Sequence, residues 1–284
     1  MPGCLYLVSL PIGHLGDMTY RAVEILRSAD AIVAEDTRNT RKLLHHFDIQ
    51  TPFFSSLYQG VESRRIEPIL RALAEGKSLA LVSDAGTPLI SDPGFPLVRS
   101  AVEAGVRVVP VPGPTAAISA LIASGLPTDR FVFEGSVPRK RQGRTELIGC
   151  LQTETRTVIL YESPHRIEQT LKEFSEGLPD RAMVVARELT KIHEEFVRGT
   201  PSEILSSLQT RNAVRGEFVI VVRGCEPSSV AHDEGAMFQV VSRLIEEGVA
   251  RRAIVDVLRT AFDLPRNEAY ALVQEAKRGF ESPD

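Results

Sequence analysis

The feature that most narrows the fold is a rhythm. Short, wholly apolar runs break into small-residue or proline turns and then into amphipathic stretches. The sharpest instance is Leu79–Gly94, LALVSDAGTPLISDPG. Leu79–Val82 has the length and composition of a fully buried strand. It stops at Ser83-Asp84 and passes through Ala85-Gly86-Thr87-Pro88 and then Ser91-Asp92-Pro93-Gly94. Two such turns in quick succession stiffen a loop. A carboxylate and free backbone groups at the carboxyl end of a buried strand stand where open α/β sheets hold their ligands. The plainer alternative is that Asp84 only caps the next helix.

The rhythm runs along the chain. Cys4–Leu10 reads as a strand ending in Pro11-Ile12-Gly13-His14-Leu15-Gly16-Asp17, and Tyr20, Val23, Ile25 and Leu26 mark a helix. The GxGxxG dinucleotide fingerprint is absent from that turn. Ala31–Ala34 is a second strand, leading into Glu35–Lys42. Those charges form either a substrate-facing rim or a solvated helix start capped by Asp36 or Thr37. Phe53-Phe54 begins a third strand, and Ile66, Ile69, Leu70 and Leu73 mark a helix that Gly76 closes. After the focal loop come a helix through Leu97, Val98, Ala101 and Val102 and a strand, Val106–Val111. Pro112-Gly113-Pro114-Thr115-Ala116-Ala117 then opens a helix rich in small residues. Its composition suits either a flat ligand lying on the backbone or tight helix–sheet packing. Repeated strand–helix units predict an α/β domain with a largely parallel sheet over residues 1–126.

A second α/β domain is expected over 127–225. Its strands are Phe131–Phe133, Thr157–Tyr161, Ala182–Ala186 and Phe218–Val222, and a hairpin after Lys191 makes its sheet mixed. Within it Ser136–Arg144 is a basic loop whose Arg139, Lys140, Arg141 and Arg144 suit phosphate contact. Thr200-Pro201-Ser202-Glu203 carries the cap, the first-position proline and the capping-box glutamate of a helix start. Residues 226–234 read as a linker. Residues 235–284 read as three short helices, either a helix-turn-helix-like module or a dimerisation or docking bundle.

Bulk properties exclude several classes. A chain of 284 residues with formal charge −4 has no overall pull toward nucleic acid, so a polyanion must be met by local basic patches. The 3 cysteines are odd in number and widely spaced, which points to a reducing, cytoplasmic setting without disulfides or a zinc site. No apolar run approaches the ~18 residues of a membrane span. No metal is expected: His45-His46 are adjacent, and His193-Glu194-Glu195 lacks the second histidine of HExxH. Neither a phosphate-loop motif nor a Gly-x-Ser-x-Gly elbow occurs. What remains is a set of strand-end loops from two α/β domains, able together to grip a ligand in a cleft between them.

At those loops the sequence resembles a known family. LPIGHLGD, AEDTRNTRKLL, LVSDAGTPLISDPG, VPGPTA, YESPHR and RELTKIHEE match, in order from about Leu5 to Gly224, the tetrapyrrole-methylase-like class of S-adenosylmethionine-dependent methyltransferases. The match is to the branch acting on small-subunit ribosomal RNA. The tail is similar to the helix-turn-helix extension of many members. One departure is His14, where many relatives carry Asn. The resemblance implies 2′-O-methylation of a cytidine ribose in the decoding region of 16S rRNA, within the small ribosomal subunit, by a two-domain homodimer. It places cofactor contacts on Pro11, Gly13, Asp84, Ala85, Gly86, Thr87, Thr115 and Ala116. In the second domain it places them on Tyr161, Glu162, Leu189, Thr190, Gly216 and Glu217.

Methyl transfer needs donor carbon and acceptor oxygen held in line, positioning worth roughly 7–11 kcal/mol. A ribose hydroxyl is a weak nucleophile, so a base should add about 10²–10⁴-fold. Lys191 or Glu194 is the expected base, with Arg187 and Arg38 steadying phosphates. For Lys191 that role requires a pKa lowered by burial or by neighbouring cations. Otherwise Lys191 and Glu194 merely form a surface pair. RNA contact is expected at Arg38, Arg41, Lys42, Arg139, Lys140, Arg141, Arg144, His165, Arg166 and the tail arginines, with a steep salt dependence. The rival readings are a methyltransferase acting on a tetrapyrrole, which would need neither the basic loop nor the tail, and a non-catalytic RNA-binding or assembly factor.

Overall fold

The computed structural model describes residues 3–58, 60, 62–210, 215–226, 234–262 and 264–281. They fall into two compact units, Met1–Cys225 and Glu226–Asp284. The larger unit begins β1 (Cys4–Val8), α1 (Tyr20–Ser28), β2 (Ala31–Ala34), α2 (Thr37–His46), β3 (Phe53–Ser56) and α3 (Glu62–Ala74). It continues with β4 (Leu79–Val82), α4 (Phe95–Glu103), β5 (Arg107–Val111), α5 (Ala116–Ser124), β6 (Phe131–Ser136), α6 (Arg141–Thr153) and β7 (Thr157–Glu162). It closes with α7 (Ile167–Gly177), β8 (Met183–Arg187), β9 (Glu195–Gly199), α8 (Pro201–Gln209) and β10 (Phe218–Val222).

The first sheet has the order β3-β2-β4-β1-β5 with every pair parallel, so Leu5 of β1 lies opposite both Leu79 and Val108. Its central strands are apolar throughout because both faces are covered. One face packs Leu5, Val33 and Leu81 against Ile69, Leu73 and Leu97 of α3 and α4. The other packs Val8, Ile32 and Val82 against Leu26 and Leu44 of α1 and α2. Each such side chain contributes about 1.5–3 kcal/mol by leaving water. Thr19 caps α1 by accepting from Ala22 N (3.1 Å), and Asp36, rather than Thr37, caps α2 by accepting from Arg38 N (2.8 Å).

The second sheet has the order β6-β7-β10-β8-β9. β6 and β7 are parallel, whereas β10 runs antiparallel between β7 and β8, and β8–β9 is the hairpin expected after Lys191. One face packs Leu160, Val185 and Ile220 around Phe174 of α7 and Ile204 of α8. The other receives α5, whose Ala117, Ala120 and Leu121 bury against Ile159, Val184 and Val219. For most of α5, tight helix–sheet packing is therefore the reason for its small residues. The Thr200 capping box of α8 is complete. The stretch expected as a basic loop differs: helix α6 begins at Arg141, its apolar Leu147, Ile148 and Leu151 drawn onto the core.

In the smaller unit, α9 (Glu234–Glu246), α10 (Arg251–Ala261) and α11 (Arg266–Glu281) enclose Val241, Ile254, Leu258 and Val273. Most of the expected linker 226–234 lies outside the described residues. Among the described residues no helix is long and apolar enough to cross a membrane.

Candidate active site

The carboxyl ends of β1, β4 and β5 carry three loops stitched to one another. Leu10 N donates to Gly86 O (2.9 Å) and Gly86 N to Leu10 O (3.0 Å). The Ser9 and Thr87 hydroxyls share a hydrogen bond (3.1 Å), and Thr87 Oγ1 also donates to Pro114 O (3.1 Å). Asp84 does not cap the helix after it, because the N-cap of α4 is Gly94 and no side chain caps that helix. Instead Asp84 accepts from Asp36 N (3.2 Å) and Asn39 Nδ2 (2.8 Å), tying the β2 loop to the β4 loop.

Between these loops and the second sheet lies a cavity of about 470 Å³, a volume within the range of small-ligand sites. The first sheet contributes Ile12, Asp84, Ala85, Gly86, Thr87, Thr115 and Ala116 to its wall. The second contributes Ser136, Tyr161, Glu162, Arg166 and Glu217. Tyr161 Oη accepts from Ala117 N (3.2 Å), and burial pushes that phenol above its usual pKa. The Glu162 carboxylate is sealed from solvent, accepting from Ser163 N (2.6 Å) and Thr170 Oγ1 (2.7 Å) and pairing with Arg166 (2.7 Å).

One side of the cavity is acidic. Glu35, Asp84 and Asp92 all line it, with no salt bridge to any of them among the described residues. Burial, then the charges of Asp84 and Asp36, raises the pKa of Glu35 despite a hydrogen bond from Asp84 N. Burial, reinforced by Glu35 and Asp84 against a hydrogen bond from Ser83, pushes Asp92 up to about 6. A cation in this space would relieve the mutual repulsion.

Of the residues implied as cofactor contacts, Pro11, Gly13, Leu189, Thr190 and Gly216 are not on the wall of this cavity. Gly13 and Gly216 serve a different end. A Cβ at Gly13 would stand 2.6 Å from Lys191 Cγ, and one at Gly216 2.4 Å from Glu188 Cγ. Both glycines let neighbouring backbone close on the loop after β8. Thr190 Oγ1 accepts from His14 N (2.9 Å), and Leu189 is buried in the core.

The loop after β8 corrects the expectation for Lys191. Its ammonium sits 2.9 Å from both Glu188 and Glu217. Burial alone would lower its pKa, but the hydrogen bonds to these two carboxylates prevail and hold it above the ordinary lysine value. Lys191 is thus a cation at neutral pH, without the lowered pKa a base needs. Glu194 accepts from Thr190 N (2.6 Å) rather than pairing with Lys191. Arg187 donates from Nε to Arg215 O (2.7 Å) and lies 3.8 Å from Glu195.

Among the basic residues, Arg144 is corrected. It is buried and bidentate to Glu173 (2.6 and 2.8 Å), donating also to Arg139 O, and so cannot reach RNA. Arg38 pairs with Asp36 (2.6 Å) yet stays exposed, and Arg41 lies over the Phe53 ring. Arg139 lines the cavity; Lys42, Lys140, Arg141 and His165 are exposed. Glu35, read in sequence as part of either a substrate-facing rim or a solvated helix start, is on the wall, and so is Asp92, to which the sequence reading gives no role. Asp92 sits in the second turn of the focal loop, where the doubled turn was itself the signal. Among the described residues no group of three or more His, Cys, Asp or Glu is placed to hold a metal.

Two α/β lobes sharing a cavity at their strand ends define a class. The chain belongs to the tetrapyrrole methylase family, whose model, described as Tetrapyrrole (Corrin/Porphyrin) Methylases, matches residues 4–205. Within that class it is 46% identical over 275 residues to "Ribosomal RNA small subunit methyltransferase I" of Synechocystis sp., covering 96% of this chain and 98% of that one. To the protein of the same name in Escherichia coli O157:H7 it is 49% identical over 224 residues, 78% of each chain. Among solved structures it is similar to a diphthine synthase (TM-score 0.62, 18% identity, covering 78% of this chain and 90% of that one). It is also similar to the uroporphyrin-III C-methyl transferase of Thermus thermophilus complexed with S-adenyl homocysteine (TM-score 0.54, 18% identity, covering 77% and 97%).

Proposed function

We propose that this protein is an S-adenosylmethionine-dependent methyltransferase acting on the 2′-oxygen of a cytidine ribose in the decoding region of 16S rRNA. It would work in the cytoplasm as a homodimer on the small ribosomal subunit. The observation that carries the reading is the extent of the likeness to relatives named for small-subunit rRNA methylation, 96% of one chain and 98% of the other.

The cavity suits the cofactor. Its volume accommodates a nucleoside with an amino-acid arm, and its acidic side offers a sulfonium cation three carboxylates without a salt bridge among the described residues. Asp84, Ala85, Gly86, Thr87, Thr115, Ala116, Tyr161, Glu162 and Glu217 would hold it. The cofactor, when bound, supplies an activated methyl group. The chain's part is to fix geometry and exclude water, which the stitched loops do before any ligand arrives, so that positioning costs little at the moment of reaction. Lys191, clamped between Glu188 and Glu217, fixes the loop after β8 beside the cavity. Arg38, Arg41, Lys42, Arg139, Lys140, Arg141, His165 and Arg166 would supply the remaining RNA contacts, with Arg187 steadying a neighbouring phosphate; Arg144 is withdrawn from that set.

Mass mapping of ribose methylation in 16S rRNA from cells with and without the protein is the direct test. One cytidine should lose 14 Da in its absence, and an unchanged methylation map would refute the proposal.

A further inference from the structure

A second depression, about 700 Å³ and more open, lies beside the first. We infer that it seats the base of the target nucleotide, with Ile192 lying against the base's face. This rests on the methyltransferase reading above and names the subsite that reading lacks.

The two depressions share a wall. Ile12 lines the first and its neighbour Gly13 the second; Glu217 lines the first, and its ion-pair partner Lys191 the second. A nucleotide held in the second depression therefore sets its ribose at the boundary with the methyl donor's cavity.

Ile192 is 96% exposed. A single exposed apolar side chain is ordinary, and its setting is what distinguishes this one. The loop bearing it holds two non-glycine residues in the left-handed region, Glu188 (φ +51°) and Thr190 (φ +63°). Such backbone persists only where its surroundings enforce it. Here Glu188 N donates to Glu217 O, Glu217 N to Glu188 Oε1, Lys191 N to Glu188 O and Glu194 N to Lys191 O. The isoleucine is thus presented by a braced loop rather than left on a slack one.

The rest of the depression fits a base on a polyanion. Leu15 adds a second part-exposed apolar surface, while His14, His46 and His193 offer imidazoles to base edges, ribose or phosphate. His46 ends the helix that carries Arg38, Arg41 and Lys42, so backbone contacts and base seat lie on one element. Acting on a single nucleotide requires taking it out of its stack, and an apolar face that replaces the lost stacking partner offsets that cost.

The test uses the full-length protein, its RNA substrate and S-adenosylmethionine, with steady-state kinetics and calorimetry. Ile192→Ser should lower kcat/KM for RNA about 10-fold, largely through KM, while the dissociation constant for S-adenosylmethionine stays within twofold. Ile192→Phe should keep or improve RNA turnover. Val102→Ser, which removes another exposed apolar side chain on α4, should change neither. If Ile192→Ser matches the wild type in RNA kinetics, the inference is overturned and the methyltransferase reading stands. If the wild type itself methylates no RNA, that reading falls and takes the inference with it.

Discussion

The loops after β4 and β8 line two depressions, and both loops carry carboxylates. In the β4 loop and its neighbour, Asp92 and Glu35 line the cavity without salt bridges to described residues, and burial drives their pKa values up. In the β8 loop Glu188 is bound to Lys191, and that hydrogen bond brings its pKa down. Similar side chains in the two loops are thus in opposite electrical condition. One set is a held repulsion that a cationic ligand relieves. The other is a closed circuit whose charge already serves structure. Charged residues near a site divide accordingly into those available to ligands and those used by the fold, and residue type alone does not say which.

The Arg144–Glu173 pair is a part-buried example of the second condition. Arg144→Met should cost about 2 kcal/mol in urea unfolding, because the part-buried Glu173 loses its bidentate, charge-assisted partner. The salt dependence of RNA binding should not change, whereas Arg139→Ala or Arg141→Ala should each reduce its log–log slope by ~1. Gly13→Val drives a side chain into Lys191 and Thr190, separating the two loops; turnover should fall about 100-fold, in keeping with the cost of small misplacements. Unchanged turnover would show that the closeness of the loops is dispensable.

The acidic side can be read through pH. Protonating Asp92 near pH 6 removes negative charge from the cavity. Binding of S-adenosylmethionine should therefore weaken up to about 10-fold as pH falls through 6. Binding of S-adenosylhomocysteine, whose sulfur is neutral, should weaken less, and Asp92→Asn should flatten the difference. Stability moves the opposite way. Because Asp92 holds its proton more tightly folded than unfolded, its contribution to stability declines as pH rises from about 4 to 6. The smallest effect is expected at Lys191→Met, about 0.5–1 kcal/mol, since the pair is part-exposed. Glu188 has a depressed folded pKa, so what this pair contributes is present above the ordinary glutamate range and lost as pH falls through the folded value. Parallel pH–stability curves for the variant and wild type would break the contrast between the two loops.

How much of this was legible beforehand follows from the range of each interaction. Leu79–Val82, Ala31–Ala34 and the Thr200 capping box declare themselves within a few residues, because periodicity and capping are local. The focal loop was recognisable as a site component from its doubled turn. Nothing local announces that β10 inserts antiparallel between β7 and β8, since strand order is settled by long-range packing. Arg144 looks like its neighbours Arg139 and Arg141 in sequence; only the helix that begins at Arg141 turns it inward to a glutamate 29 positions away. For the same reason Lys191 looked like a candidate base until Glu217, distant in the chain, was seen to hold it.

The place of β10 has a consequence for how the protein is made. The first sheet is finished once β5 has left the ribosome, and its loops can then bond to one another. The second sheet cannot close until Phe218–Val222 emerges, because β7 and β8 touch only through that strand. The cavity is therefore complete only after the step that brings Glu217 and the antiparallel strand to it. A nascent chain released early would carry a formed first lobe and half a binding site, and so would be inert toward methyl donor and RNA alike.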